Sequence, residues 1–214
     1  MGVAHEISNV GVIEDDQRQR EALAFQLSTA GFRVSSYSSA ESFLESAKLD
    51  DFDCLVSDIC LPKMNGLQLL VVIKELAPFL AVIFITGYGD MSTGVQAMRE
   101  GALDCVEKPI DDSTLINSIA RGVESSRAQR SEHMRRLELE RRQASLTPRE
   151  RQTFALITAG LLNKQVGGQL GPSEGTIKKH RGRVMKKMGA DSLAELVRMS
   201  EILRIHSAAK PQAQ

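Results

Sequence analysis

The chain has 214 residues, of which 27 Lys and Arg balance 27 Asp and Glu and 42% are hydrophobic; this length favours two modules, each able to bury its own core. Three cysteines without a C-x-x-C pair, a longest apolar run of only 79–85, and a start lacking a basic stretch followed by an apolar one argue against several classes. A disulfide framework, a zinc site, a membrane span and a signal peptide are all disfavoured, and a cytoplasmic protein is expected. The neutral total conceals two opposite halves: residues 1–126 carry 9 Lys/Arg against 19 Asp/Glu, and residues 127–214 carry 18 against 8. A basic half is the electrostatic footprint of a nucleic-acid binder, and an acidic half does not share that task.

Along the first half, short apolar runs at 10–13, 32–34, 54–57, 81–85 and 105–106 read as strands. Between and after them, 20–30, 40–47, 66–76, 92–100 and 113–123 space apolar residues as helices do. The pattern predicts an α/β domain with a parallel sheet covered by helices, whose ligands sit outside the carboxyl ends of the strands. Residues 124–145 mix Arg with Glu, lack a wide apolar stripe, and read as a solvated helical linker; Met134 and Leu137 offer the start of a coiled coil whose heptad is not sustained.

Thr147-Pro148-Arg149-Glu150 is a capping box with Pro at the first helical position. Residues 163–170, the turn Gly171-Pro172, then 173–188 and 192–204 read as helix, turn, long helix and final helix, giving an all-α module of four helices. Gly167 and Gly168 are expected to weaken its second helix, and Gly182 costs the long helix about 1 kcal/mol of propensity. The tail, 207–214, is small and polar and reads as disordered.

The reactive side chains of the acidic half all fall at strand ends: Glu14 and Asp15 after Ile13, Asp58 after Ser57, Thr86 after Ile85, and Lys108 two residues after Val106. Taken singly, each is a turn residue or a solvated loop. Together, one sheet edge gathers them. Three carboxylates about 4 Å apart repel by roughly 4 kcal/mol per pair at an effective dielectric near 20, so the cluster needs a cation, and oxygen ligands beside a phosphoryl group suit Mg²⁺. The set makes a phosphoryl-accepting site with Asp58 as nucleophile, Lys108 as a point charge and Thr86 as a hydrogen-bond donor. Asp16 is expected to be only a charged neighbour.

Glu14-Asp15, Asp58-x3-Pro62-x3-Gly66, Thr86-Gly87 and Glu107-Lys108-Pro109 resemble the receiver domains of bacterial response regulators, over residues 8–126. The resemblance implies a flavodoxin-like (βα)5 receiver domain in 1–124, phosphorylated on Asp58 by a sensor histidine kinase. It also implies Mg²⁺ held by Asp15, Asp58 and the Cys60 backbone carbonyl, with Glu14 acting through water, and a homodimer formed through the receiver face around the fourth and fifth helices. One departure stands three residues before Lys108, where the family has a rotating Phe or Tyr and this chain has Cys105. Either the thiol packs there while Thr86 moves as usual and Tyr88 takes an aromatic role, or coupling is weakened. Weak coupling falls short of the roughly 5.5 kcal/mol that moves a two-state equilibrium from 1:99 to 99:1, and leaves partial activation or constitutive DNA binding.

In the long helix of the basic half, Ile177, Val184 and Met188 form a core stripe, and Lys178, Lys179, Arg183, Lys186 and Lys187 are expected to face outward. Leu146-Thr147-Pro148-Arg149-Glu150-Arg151, Asn163-Lys164-Gln165-Val166 and Ser173-Glu174-Gly175-Thr176-Ile177-Lys178 resemble the LuxR-type helix-turn-helix, over 146–205. With 1–124 as receiver, 125–145 as linker and 146–206 as DNA-binding domain, the chain resembles FixJ/NarL-type regulators, transcription factors acting on double-stranded DNA with no membrane partner. That resemblance puts Lys178, Lys179 and position 182 in the major groove and Asn163, Lys164 and Thr176 near the DNA backbone. Gly182 supplies no side chain, so readout leans on Lys179 and Arg183.

His180 is expected to pack half-buried. No Ser/His/Asp or Cys/His constellation points to an enzyme. The enzymatic rival, an aspartyl-nucleophile phosphatase of the haloacid dehalogenase type, wants a second Asp two residues after the nucleophile, where Cys60 stands. The rival within gene regulation, raised by Cys105, is a DNA binder indifferent to phosphorylation.

Overall fold

The computed structural model describes residues 7–87 and 91–207. Its strands are β1 (Asn9–Ile13), β2 (Arg33–Tyr37), β3 (Cys54–Asp58), β4 (Ala81–Thr86) and β5 (Asp104–Glu107), all parallel in the order β2-β1-β3-β4-β5. Every residue of central β3 is buried, which is why its run is uninterrupted. At the edge, β2 continues through Ser35 and Ser36 to Tyr37, three residues past its apolar start. Polar residues on an exposed edge erase the hydrophobic signal, while pairing with β1 from Asn9↔Arg33 to Ile13↔Tyr37 sets the length.

Helices α1 (Gln17–Thr29), α2 (Ala40–Ser46), α3 (Gly66–Leu76) and α4 (Met91–Arg99), together with the start of α5 (Asp112–Ala144), cover the sheet. One face packs Phe43, Leu55, Leu69 and Phe84, with Tyr37, Phe43 and Phe52 meeting edge to face; the other packs Val12, Leu27, Val56, Ile83, Leu115 and Ile119. Burial of each such side chain contributes about 1.5–3 kcal/mol. Asp16 is more than a charged neighbour, because its Oδ1 accepts the Gln19 N–H at 2.9 Å and caps α1, which begins three residues earlier than its apolar pattern indicates.

The chain divides into two compact units, Met1–Arg130 and Ser131–Gln214. No break separates the fifth helix from the expected linker, since α5 runs for 33 residues. Within the first unit Arg127 grips both Asp53 carboxylate oxygens at 3.0 and 2.9 Å, and Arg130 donates to the Asp50 and Phe52 carbonyls. Within the second, Leu139 is buried with Leu146, Phe154, Val184 and Met188. Only the middle of the stretch, where Met134 and Leu137 are exposed, behaves as a solvated helix. Alternating charge hid the ends because those guanidinium groups bind protein.

The second unit adds α6 (Pro148–Thr158), α7 (Asn163–Leu170), α8 (Glu174–Met188) and α9 (Leu193–Ser207). Thr147 and Glu150 form the capping box of α6, Ser173 caps α8, and Gly171 (φ 93°) and Gly189 (φ 68°) end α7 and α8 in the left-handed region. The two adjacent glycines of α7 differ. A Cβ at Gly168 would meet nothing within 4 Å, whereas one at Gly167 would lie 2.7 Å from the Pro172 carbonyl oxygen, so Gly167 is a packing requirement of the turn. Tyr88 and the tail beyond Ser207 lie outside the described residues.

Candidate functional site

The carboxyl ends of β1, β3 and β4 and the turn after β5 bring Glu14, Asp58, Thr86 and Lys108 together. Lys108 Nζ stands between the two buried carboxylates, 2.7 Å from Asp58 Oδ2 and 3.2 Å from Glu14 Oε2, and donates to Gln19 Oε1 at 2.8 Å. The Cys60 backbone N–H donates to Asp58 Oδ1 at 2.7 Å, and the Lys108 N–H donates to the Thr86 carbonyl at 2.8 Å. Burial pushes the Glu14 carboxyl above its ordinary value against the opposing pull of Lys108. Burial also pulls the Lys108 ammonium down, but its bonds and charge interactions with Asp58 and Glu14 outweigh this and leave it held above its usual range.

The cation that the cluster requires is therefore supplied, in part, by the chain itself. Among the described residues no three His, Cys, Asp or Glu side chains converge as a ready metal cage, and Asp15 is exposed while Glu14 faces Asp58 across Lys108. The donor set still fits a hard divalent ion: it is anionic, all oxygen, and has the Lys108 ammonium standing in between two carboxylates. Gln19 was not foreseen. It lies in the first turn of α1, and the Asp16 cap that places it there is the available signal.

Cys105 lies half-buried on β5, its thiol 3.5 Å from the Gly94 carbonyl. Burial, then the Asp104 charge, pushes that thiol up to about 11, which disfavours its reactive thiolate form. Beside it lies a partly open cavity of about 240 Å³ whose lining includes Thr86, Gly87, Gly94, Val95, Met98, Cys105 and Glu107.

On α8, Ile177, Val184 and Met188 are buried, and Lys178, Lys179, Arg183 and Lys186 are exposed. Lys187 departs from the expected outward face, since its Nζ reaches Glu150 Oε2 at 2.6 Å and the Ser145 carbonyl at 3.1 Å. That ammonium, with the Thr147 backbone N–H, holds the Glu150 carboxyl down to about 2. Thr176 and Lys164 are exposed. Asn163 is half-buried with its Oδ1 shielded and unpartnered, and His180 is half-buried with Nδ1 in the same condition. No described helix is long and apolar enough to cross a membrane.

Residues 10–120 match the family of response regulator receiver domains, and residues 144–200 match the luxR family of bacterial regulatory proteins. Nodulation protein W of Bradyrhizobium diazoefficiens is 39% identical over 205 residues, covering 96% of this chain and 90% of that protein. The transcriptional regulatory protein FixJ of Azorhizobium caulinodans is 40% identical over 191 residues, covering 89% and 90%. Among solved structures, the response regulator StyR matches with a TM-score of 0.82 at 36% identity over 92% of this chain and 99% of that one. Full-length FixJ from B. japonicum matches at 0.57 and 35% identity over 92% and 98%. An acidic edge bridged by Lys108 in one unit, a basic helix after a helical turn in the other, and these relatives over nearly the whole length agree: the chain belongs to the FixJ-like two-component response regulators, transcription factors that join a receiver domain to a LuxR-type DNA-binding domain.

Proposed function

We propose that phosphorylation of Asp58 by a cognate sensor histidine kinase gates dimerisation and DNA binding by the C-terminal domain. The observation that carries this reading is the Lys108 ammonium held between Asp58 and Glu14, a charge poised to follow a phosphoryl group. An Asp58 carboxylate oxygen attacks the phosphorus, the bond to the kinase histidine breaks, and Lys108 turns from the carboxylate pair to the new phosphoryl oxygens. Thr86, buried at the end of β4, donates its hydroxyl to the same group. Asp15, Asp58 and the Cys60 carbonyl would hold Mg²⁺, with Glu14 supporting the site. The ion, when bound, neutralises charge that develops on the transferred group.

The receiver extends to residue 124 and the DNA-binding domain covers 146–206, with 125–145 as the connecting helix. Val95 and Met98, exposed on α4, offer an apolar patch for a second copy of the receiver. Lys178, Lys179 and Arg183 enter the major groove, and Asn163, Lys164 and Thr176 meet the phosphate backbone; the buried Oδ1 of Asn163 leaves its amide nitrogen for that contact. The protein acts in the cytoplasm as a regulator, with no catalytic turnover of its own substrate.

A duplex selected from a random-sequence pool by the wild-type chain, titrated with wild type and Asp58→Asn with and without Mg²⁺ and a small-molecule phosphodonor, tests the reading. Affinity should rise with phosphodonor for wild type alone. A second reading, DNA binding indifferent to phosphorylation, is favoured by the cavity between Cys105 and Thr86. Equal affinity in all arms would select it.

A further inference from the structure

The C-terminal end of α8 is held from one side by a residue that neither the acidic site nor the groove contacts use. Arg142 donates through Nη1 to the Met188 carbonyl at 2.8 Å and through Nε to Glu138 Oε1 at 2.9 Å. Met188 closes α8, where the last carbonyls lack helical partners and the helix dipole draws a cation. Gly189 follows in the left-handed region, and a Cβ there would come within 2.5 Å of Arg142 Nη1, so the glycine makes room for the guanidinium. One turn before Arg142, Leu139 is buried in the same core as Val184 and Met188, which fixes the backbone from which Arg142 reaches. The guanidinium is thus committed to protein atoms.

We propose that Arg142 is a positioning residue for DNA readout, setting the angle at which α8 presents Lys178, Lys179 and Arg183. The inference rests on the proposal that α8 reads base edges. Nine residues separate Lys179 from Met188, a lever of about 13 Å at 1.5 Å per residue, so a tilt of roughly 5° at the C-terminal end moves Lys179 by about 1 Å. Bidentate hydrogen bonds to bases do not survive that displacement, whereas contacts with a diffuse row of phosphates do.

The test uses the full chain as wild type, Arg142→Ala, Arg142→Lys, Gly189→Asn and Lys179→Ala. Each is titrated over a series of salt concentrations against a duplex selected by the wild type and against poly(dI-dC). Arg142→Ala should lower the ratio of specific to non-specific affinity roughly tenfold, the factor for one misplaced base contact, with the salt slope unchanged. Gly189→Asn keeps the charge but displaces the guanidinium, and Asn tolerates the left-handed region, so it should do the same. Arg142→Lys, still a cation for the Met188 carbonyl, should recover part of the loss. An unchanged ratio for Arg142→Ala and Gly189→Asn overturns the proposal. So does a parallel loss on both DNAs with the slope reduced by about one, the signature of a phosphate contact. An unchanged ratio for Lys179→Ala instead overturns the groove reading on which the proposal rests. Thermal melting reports folding, and if Arg142→Ala unfolds, Gly189→Asn and Arg142→Lys decide the question.

Discussion

Replacing Gly167 and Gly168 singly by Ala should move the stability of the DNA-binding domain in opposite directions. Both lie in α7, where Ala exceeds Gly by about 1 kcal/mol in propensity. At Gly168 the new methyl meets nothing within 4 Å, so the gain of about 0.5–1 kcal/mol is realised in full. At Gly167 it would sit 2.7 Å from the Pro172 carbonyl oxygen, well inside an ordinary contact of 3.4 Å or more. That oxygen belongs to the backbone of the turn and cannot rotate aside, so α7 and α8 must part. Overpacking costs about 1–3 kcal/mol, and the propensity gain offsets part of it, leaving a net loss of roughly 1–2 kcal/mol.

Amide hydrogen exchange in α7 and α8 reads the opening of this domain apart from the receiver. Exchange through global opening should speed up by about 5–30-fold in Gly167→Ala and slow by about 2–5-fold in Gly168→Ala. Changes of the same sign at both positions would refute the close-approach argument.

Three further perturbations follow from the two sites. Glu150 is held down to about 2 by Lys187 and the Thr147 N–H; because its folded value lies below the ordinary 4.5, the stability it contributes is present above about pH 4.5 and lost as pH falls toward 2. Thermal melting from pH 7 to 3 should therefore show a steeper acid loss for wild type than for Glu150→Gln, and parallel curves would contradict this. Cys105→Phe places a ring in the cavity of about 240 Å³ beside Thr86 and should raise the phosphodonor-dependent gain in DNA affinity at equal or higher stability; a smaller gain would mean that the thiol is the better partner for Thr86. Lys108→Met removes the ammonium between Asp58 and Glu14 and should abolish that gain while leaving unstimulated DNA affinity unchanged, and a retained gain would count against the role of Lys108.

The parts of the fold legible in the sequence are those where burial and period coincide. Central β3 and the stripe Ile177, Val184 and Met188 announce themselves, because every residue of the one and one face of the other must leave water. Edge strand β2 fades after Val34, since exposed pairing needs no apolar side chain. The acidic edge was legible as strand ends, with Glu14, Asp58, Thr86 and Lys108 each one or two residues past an apolar run. What the pattern does not convey is how those side chains divide the space. Glu14 turns inward and Asp15 outward, Lys108 bridges the carboxylates, and Gln19, placed by the Asp16 cap, joins them.

Charge is where composition misleads most, and it bears directly on DNA binding. The excess of basic residues in 127–214 suggests a broad electrostatic face, yet many of those groups are committed within the protein. Arg127 binds Asp53, Arg136 binds Glu140, Arg141 and Arg142 share Glu138, and Lys187 is taken by Glu150. An ion pair contributes little long-range field, so these residues drop out of the count of phosphates that the domain can neutralise. The exposed groups on α8 are Lys178, Lys179, Arg183 and Lys186, with Lys164 on α7. Each neutralised phosphate adds about 0.9 to the salt slope on B-DNA, so with Lys178, Lys179 and Arg183 given to the groove as proposed, Lys164 and Lys186 are the exposed cations of α7 and α8 left for phosphates, and these two helices add about −2 to the slope. On the proposed reading, sequence preference comes from the placement of a few side chains on α8, whose C-terminal end Arg142 and the core hold, rather than from the charge of the domain as a whole.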